Sequence, residues 1–124
     1  MRGLISRLSH GFGSRDDDAR EDLRTASQIP GVSCIDTVPS RSSVRVAGVV
    51  SALTRSTNLD NPRLTITVSD GTGDVEAQFL GRREISGVKP GALIVLEGRF
   101  CDRDGVLRAY NPVYELVAAR DDHD

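Results

Sequence analysis

A chain of 124 residues has room for one modest hydrophobic core and not for two independent ones. Sixteen basic residues against eighteen acidic ones leave a net charge of −2, which excludes a strong whole-molecule pull toward nucleic acid or an anionic membrane. Any such binding must come from a local patch. Cys34 and Cys101, with no closely spaced Cys or His pair beside them, exclude a zinc site on spacing and read as ordinary reduced thiols.

Fifteen of the sixteen basic residues are Arg, and only Lys89 is Lys. Guanidinium stacks on bases and forks onto phosphate, whereas ammonium acts as a point charge, so the composition leans toward phosphate or base contacts. The coding bias of a GC-rich genome gives the same composition.

Residues 1–40 read as a helical or irregular N-terminal extension. Leu4, Ile5, Leu8 and Phe12 lie at the spacing of one helical face and predict a helix over residues 3–12. Gly11 and Gly13 interrupt it. Ser14 followed by Asp16, Asp17 and Asp18 has the capping oxygens and negative charge of a helix start, so a second helix is predicted over residues 17–27. Leu23 is its only sizeable apolar residue, and Ile29-Pro30-Gly31 ends it. Residues 35–43 read as an extended lead-in. No apolar run is long enough for a signal peptide or a membrane span, and the expected location is cytoplasmic.

From Val44 the period changes from helical to alternating. Val44, Val46, Gly48 and Val50 alternate with Arg45, Ala47, Val49 and Ser51 in a first strand that a glycine lets bend. After a polar loop over residues 54–63, Leu64-Thr65-Ile66-Thr67-Val68 is the clearest strand of the chain. Asp70-Gly71-Thr72-Gly73 makes a tight turn into a third strand over residues 74–80. A short helical turn is predicted over residues 81–86, and Lys89-Pro90-Gly91-Ala92 has the type II turn pattern. A fourth strand over residues 93–100 carries Gly98, and a hairpin over residues 102–105 leads into a fifth over residues 106–110. Asn111-Pro112 interrupts that strand before residues 113–117 resume it. Pro112 donates no ladder hydrogen bond and so belongs at an edge or bulge. The tail, residues 120–124, is polar.

Five short strands, with the only helical break between the third and fourth, match a mainly β, five-stranded Greek-key OB-type barrel over residues 41–119. The match then becomes specific. Val46-Ala47-Gly48-Val49-Val50, Val68-Ser69-Asp70-Gly71-Thr72-Gly73, the Lys89-Pro90-Gly91 turn and Leu96-Glu97-Gly98-Arg99 stand in order and spacing. In this the chain resembles the tRNA-anticodon-type OB family, which includes anticodon-binding domains of tRNA synthetases and OB modules of DNA polymerases and branch-migrating helicases. Tyr110-Asn111-Pro112-Val113-Tyr114-Glu115 resembles the closing strand of the helicase wedge domain, and the length and composition resemble small stand-alone OB proteins of actinobacteria.

The resemblance implies binding of single-stranded or junction DNA, or RNA, on the outer face of the second and third strands, between the loops joining strands one to two and four to five. Candidate contacts are Arg45 on the first strand, and Arg55 and Arg63 flanking the first loop. Thr65, Thr67 and Gln78 lie on the central face, Arg82 and Arg83 follow the third strand, and Arg103, Arg108 and Tyr110 lie around the last hairpin and strand. Arg82-Arg83 stands out, because two guanidiniums beside a turn have no packing reason to be there together. Between residues 41 and 119 there are ten basic and nine acidic residues, so only clustering makes a groove positive. Alternation places Phe79 with Val75 and Ala77 in the core. Leu80 then stands where the helicase wedge has a second aromatic, and Glu76 falls on the binding face, where it repels phosphate. Tyr110 and Tyr114 have the alternative of half-burying their rings, and Thr65 and Thr67 that of serving as strand formers on a solvated face.

Catalysis has little support. His10 and His123 lie in the tails, Asp16 to Asp18 lack the spacing of a calcium loop, and Gly71 and Gly73 lack the Lys-Ser/Thr of a phosphate-cradling loop. The expectation is a protein without catalytic activity, cofactor or metal. Two readings remain: a nucleic-acid-binding barrel of little sequence specificity, and a protein-protein interaction module whose partner docks on the N-terminal extension or the barrel face. Glu76, the missing aromatic and the acidic balance favour the second. The resemblance and the placement of the arginines favour the first.

Overall fold

The computed structural model describes the backbone of residues 13–117 and the side chains of residues 20–117. One helix, α1 (Gly13–Ser27), precedes a 3₁₀ turn (Ile35–Thr37) and six strands. These are β1 (Ser42–Arg55), β2 (Arg63–Ser69), β3 (Asp74–Leu80), β4 (Leu93–Arg103), β5 (Val106–Tyr110) and β6 (Val113–Leu116). The strand order is β1-β2-β3-β5-β4-β6, and pairing of β1 with β4 closes the first five into a barrel. All neighbours are antiparallel except β3 and β5, which run parallel. This is an OB-type closed barrel, with β6 continuing the line of β5 along the first half of β4.

β1 serves both walls of the barrel. Its first half pairs with β4 from Ser42 to Val49, and its second half pairs with β2 from Val49 to Arg55. The change of partner is made by Gly48, by a bulge between Val50 and Ala52, and by Val50, whose N–H donates to Ala92 O and whose carbonyl accepts from Gly91 N–H. The strand therefore runs on through Thr54 and Arg55, which on composition alone belong to a polar loop.

The alternating apolar residues point inward as their period requires. Val46, Val50, Leu64, Ile66, Val68, Val75, Ala77, Phe79, Ile94, Leu96, Phe100 and Ala109 form one core, with Leu53, Leu107, Tyr114 and Leu116 packed against it. Phe79 is a core residue, in edge contact with the Tyr114 ring at 5.7 Å. Helix α1 covers a separate patch on the outside of β1 and β4. Ala26 seats against Ala47 and Val95, with Ile29, Val32, Leu93 and Val117 around them.

Two features of the extension and the crossover differ from the expectation. α1 is the only α-helix among the described residues and is already helical at Gly13, the first of them, so it includes residues 17–27 and reaches further toward the N-terminus than expected; the predicted helix over residues 3–12 lies outside the described residues. Residues 81–92 contain no helix; they run through turns, because Gly81, Gly87 and Gly91 all take positive φ (85°, 84° and 94°) and Pro90 removes a donor. Ile85 and Val88 nevertheless insert into the core, at 7% and 6% exposure, so two buried side chains close this end of the barrel where a helix was expected. Lys89-Pro90-Gly91-Ala92 is the type II turn its sequence predicts, with Ala92 N–H donating to Lys89 O at 3.0 Å.

The Asn111-Pro112 interruption is a structural joint. Asn111 takes φ 51°, its N–H donates to Gln78 O at 2.7 Å, and its Oδ1 accepts from Leu80 N–H at 2.9 Å, ending β3 and β5 together. Pro112 is buried over Gly98, where a Cβ would stand 3.3 Å from Pro112 Cβ. Replacing Asn111→Ala removes both the αL-tolerant residue and the acceptor for Leu80, and should cost about 1–3 kcal/mol in urea unfolding. A loss below about 0.5 kcal/mol would mean that the joint is set by Pro112 alone.

Candidate nucleic-acid interface

The outer face of β2, β3 and β5 is built by cross-strand register. Thr65 stands opposite Gln78 and Thr67 opposite Glu76; on the other side of β3, Glu76 meets Arg108 and Gln78 meets Tyr110. Thr54 and Ala52 of β1 extend these rows past Thr65 and Thr67, and Cys101 of β4 extends the lower row past Arg108. Five of the expected residues, Thr65, Thr67, Gln78, Arg108 and Tyr110, therefore lie on one continuous surface.

At the centre of that surface is an ion pair. Arg108 Nε donates to Glu76 Oε1, and each side chain is 23% exposed. The Glu76 carboxylate first, and the Tyr110 phenol oxygen second, hold the Arg108 guanidinium above its ordinary pKa against a smaller opposing effect of burial. A raised pKa on a base gives a stabilisation that is fully present below the unfolded-state value and lost only as pH rises past the folded-state one. For an arginine both lie far above neutral, so its charge in this pair is constant through the range in which binding is measured. The repulsion expected of Glu76 is thereby met by a fixed positive neighbour. Arg108 in turn is occupied by Glu76, and Tyr110 on the same strand remains 49% exposed.

Positive charge gathers at one end of the face. Arg63 begins β2 opposite Leu80, the last residue of β3; Arg55 ends β1 opposite Leu64; and Arg82 and Arg83 follow Gly81, whose N–H donates to Pro62 O at 2.8 Å. Arg55 lies 3.8 Å from Glu84, a loose and exposed pair. Arg63, Arg82 and Arg83 have no ion-pair partner among the described residues. The opposite end of the face carries Asp70, Asp74, Asp102 and Asp104, with Arg103 alone among them.

Arg45 lies apart from this set. It sits on the half of β1 that pairs with β4, where it reaches Glu97 at 3.3 Å and Glu115 at 3.7 Å, and its Nε is enclosed without a hydrogen-bond partner. Its guanidinium ties β1 to β4 and β6 on the wall next to α1.

The loop over residues 56–62 shapes the basic end. Ser56 organises it: Ser56 N–H donates to Arg63 O at 2.9 Å, and Ser56 Oγ accepts from Arg63 N–H at 3.1 Å. Asn58 Oδ1 accepts from Asp60 N–H at 2.9 Å. Between this loop and the end of β3 lies an open cavity of about 500 Å³. No signal in the sequence points to it, because it depends on Leu80 and on a loop that meet only through the β2–β3 pairing. Among the described residues no group of His, Cys, Asp and Glu is arranged to hold a metal ion, and no helix is long and apolar enough to cross a membrane.

No protein-family model matches the chain, and no curated protein matches it. Among solved structures, the crystal structure of the p204 HINb domain is similar, with a TM-score of 0.54 at 16% identity over 76% of this chain and 49% of that chain. The chain thus spans about half the length of that structure's chain. At that identity the likeness is one of fold, and what it adds to the strand order is that a barrel of this kind stands in a HIN domain.

Proposed function

We propose that the protein is a non-enzymatic OB-type module that binds single-stranded or junction nucleic acid, DNA or RNA, with little sequence specificity. The observation that carries this reading is the gathering of Arg63, Arg82 and Arg83, free of carboxylate partners among the described residues, at the end of the β2–β3–β5 face where β5 finishes at the exposed Tyr110. The guanidiniums take the phosphates of a strand, and the ring takes the π-face of a base, a contact worth about 1–3 kcal/mol per base whatever its identity. Thr65, Thr67 and Gln78 offer neutral hydrogen-bonding groups between. The resemblance of the sequence to the tRNA-anticodon-type OB family, and to the helicase wedge in particular, supports the same reading.

The test is fluorescence anisotropy of labelled single-stranded DNA and RNA against the full chain, at low and physiological salt. Saturable binding that weakens with salt is expected. In Arg82→Ala/Arg83→Ala the affinity should fall about tenfold at low salt, and the log–log salt slope should become shallower by about 1.4, the share of two phosphate contacts. Absence of binding at low salt would sink the proposal. A specific observation supports the alternative of a protein-interaction module: Leu80, Tyr110 and Val113 are exposed at 47%, 49% and 69% around the Asn111 joint. A negative result with nucleic acid would turn the search to a partner for that ridge.

A further inference from the structure

We infer that the cavity between the residue 56–62 loop and the end of β3 is a pocket for one unstacked nucleobase, an inference that rests on the proposed nucleic-acid binding and gives it a second contact beyond the Tyr110 ring. The volume, about 500 Å³, falls in the range of small-ligand sites. Its apolar surfaces are Leu80 and Pro62, and its polar ones come from Asn58, Asp60, Asn61 and Arg63. Leu80 is the residue that strand alternation leaves on the outer face, 47% exposed, at the point where a phosphate-tracking surface has no use for an aliphatic side chain. A flat heteroaromatic ring has a use for it.

The charges divide the ligand in the same way. Asp60 makes no ion pair among the described residues, so its carboxylate repels a phosphate that enters the cavity while it accepts from a base N–H. Arg82 and Arg83 stand just past Gly81 at the rim, where the flanking phosphates of an inserted base would lie. The polar groups are also open for the purpose. Asn58 spends its Oδ1 on Asp60 N–H and keeps its amide hydrogens, and the Asn61 side chain makes no hydrogen bond among the described residues. The loop is already shaped by Ser56 and Asn58, so little ordering cost falls on binding.

The experiment compares two labelled single strands of equal length and phosphate count, one carrying ordinary bases and one made wholly of abasic sites. Each is titrated against the full chain and its Leu80→Ala, Asn61→Ala and Arg82→Ala/Arg83→Ala variants. Leu80 and Asn61 are exposed, so these variants keep the barrel. Leu80→Ala should weaken the base-bearing strand about fivefold, Asn61→Ala should weaken it in the same direction, and both should leave the abasic strand unchanged, whereas the double arginine variant weakens both strands. If the double arginine variant weakens binding while Leu80→Ala and Asn61→Ala leave the base-bearing strand unaffected, the strand passes the cavity by and the pocket is overturned with the proposed function intact. If neither strand binds the unmodified protein, the proposed function and the pocket fall together.

Discussion

Gly48→Ala should destabilise the protein by about 3 kcal/mol, the upper end of what overpacking a well-packed core costs. A Cβ at this position would stand 2.3 Å from Ser69 O, 2.7 Å from Ser69 C and 2.9 Å from Val68 Cγ1. The first two are backbone atoms, and Ser69 is held from both sides, opposite Val49 on β1 and opposite Asp74 on β3. No side-chain rotation relieves the contact; one strand has to move. Gly48 is where β1 turns from β4 toward β2, so that movement strains the closure of the barrel itself. Gly81→Ala is the control. It places a Cβ in open space at φ +85° and carries only the left-handed backbone cost of about 1–2 kcal/mol. Urea unfolding distinguishes them: a loss of about 3 kcal/mol lowers the midpoint by on the order of 2 M for a domain of this size. Equal midpoints for the two variants would show that β2 yields at Ser69.

Much of this barrel is legible in the sequence because alternation is local. Residues 74–80 and 106–110 read as strands with the bounds they have in the structure, and Leu64-Thr65-Ile66-Thr67-Val68 lies wholly within β2. The extra length of β1 was not legible. Thr54 and Arg55 are polar on both faces of an exposed strand end, so no apolar period marks them, and a bulge at Ser51 shifts the phase just before them. The absence of a helix between β3 and β4 follows from glycines whose effect depends on their φ. Gly81 and Gly87 stand at positions that a helical turn tolerates in composition and that positive φ forbids in fact.

The surface was less legible than the fold, because which charges meet is decided by register between distant strands. Glu76 and Arg108 are 32 residues apart, and only the parallel β3–β5 pairing makes them neighbours. In the sequence Arg45 and Arg63 both stand next to alternating apolar residues, Arg45 between Val44 and Val46 and Arg63 before Leu64-Thr65-Ile66. The structure separates them: Arg45 falls among Glu97 and Glu115, while Arg63 falls at the end where the acidic residues of the β2–β3 and β4–β5 turns are absent. A near-neutral chain acquires a basic end by this sorting along the strand direction. Arg103, on the β4–β5 hairpin, is sorted to the acidic end with Asp102 and Asp104 on either side of it.

Asp70→Ala should cost about 3 kcal/mol, because this one carboxylate closes the β2–β3 turn and fastens the lead-in to it. Its Oδ1 accepts from Thr72 N–H at 2.8 Å, Thr72 Oγ1 at 2.6 Å and Gly73 N–H at 3.2 Å, closing the β2–β3 turn; its Oδ2 accepts from Ile35 N–H at 2.9 Å. Thr72 Oγ1 in turn accepts from Asp36 N–H at 3.2 Å. The lead-in to the barrel is thus fixed over the turn, and Ile35, 3% exposed, is held in the core with Gly73 close beneath it. Hydrogen bonds to a charged acceptor contribute about 1.5–3 kcal/mol, and the cost is greatest when a donor is left buried without a partner. Asp70→Asn keeps one acceptor oxygen and should lose about half as much. Hydrogen exchange identifies the mechanism: the Ile35 amide should lose protection in Asp70→Ala well before the amides of β2 and β3 do. Uniform loss across the barrel would instead mean that the turn alone is being weakened. Since Asp70 lies at the acidic end, away from Arg63, Arg82 and Arg83, the folded Asp70→Ala protein should bind a single strand with unchanged affinity, separating what holds the barrel closed from what its basic end does.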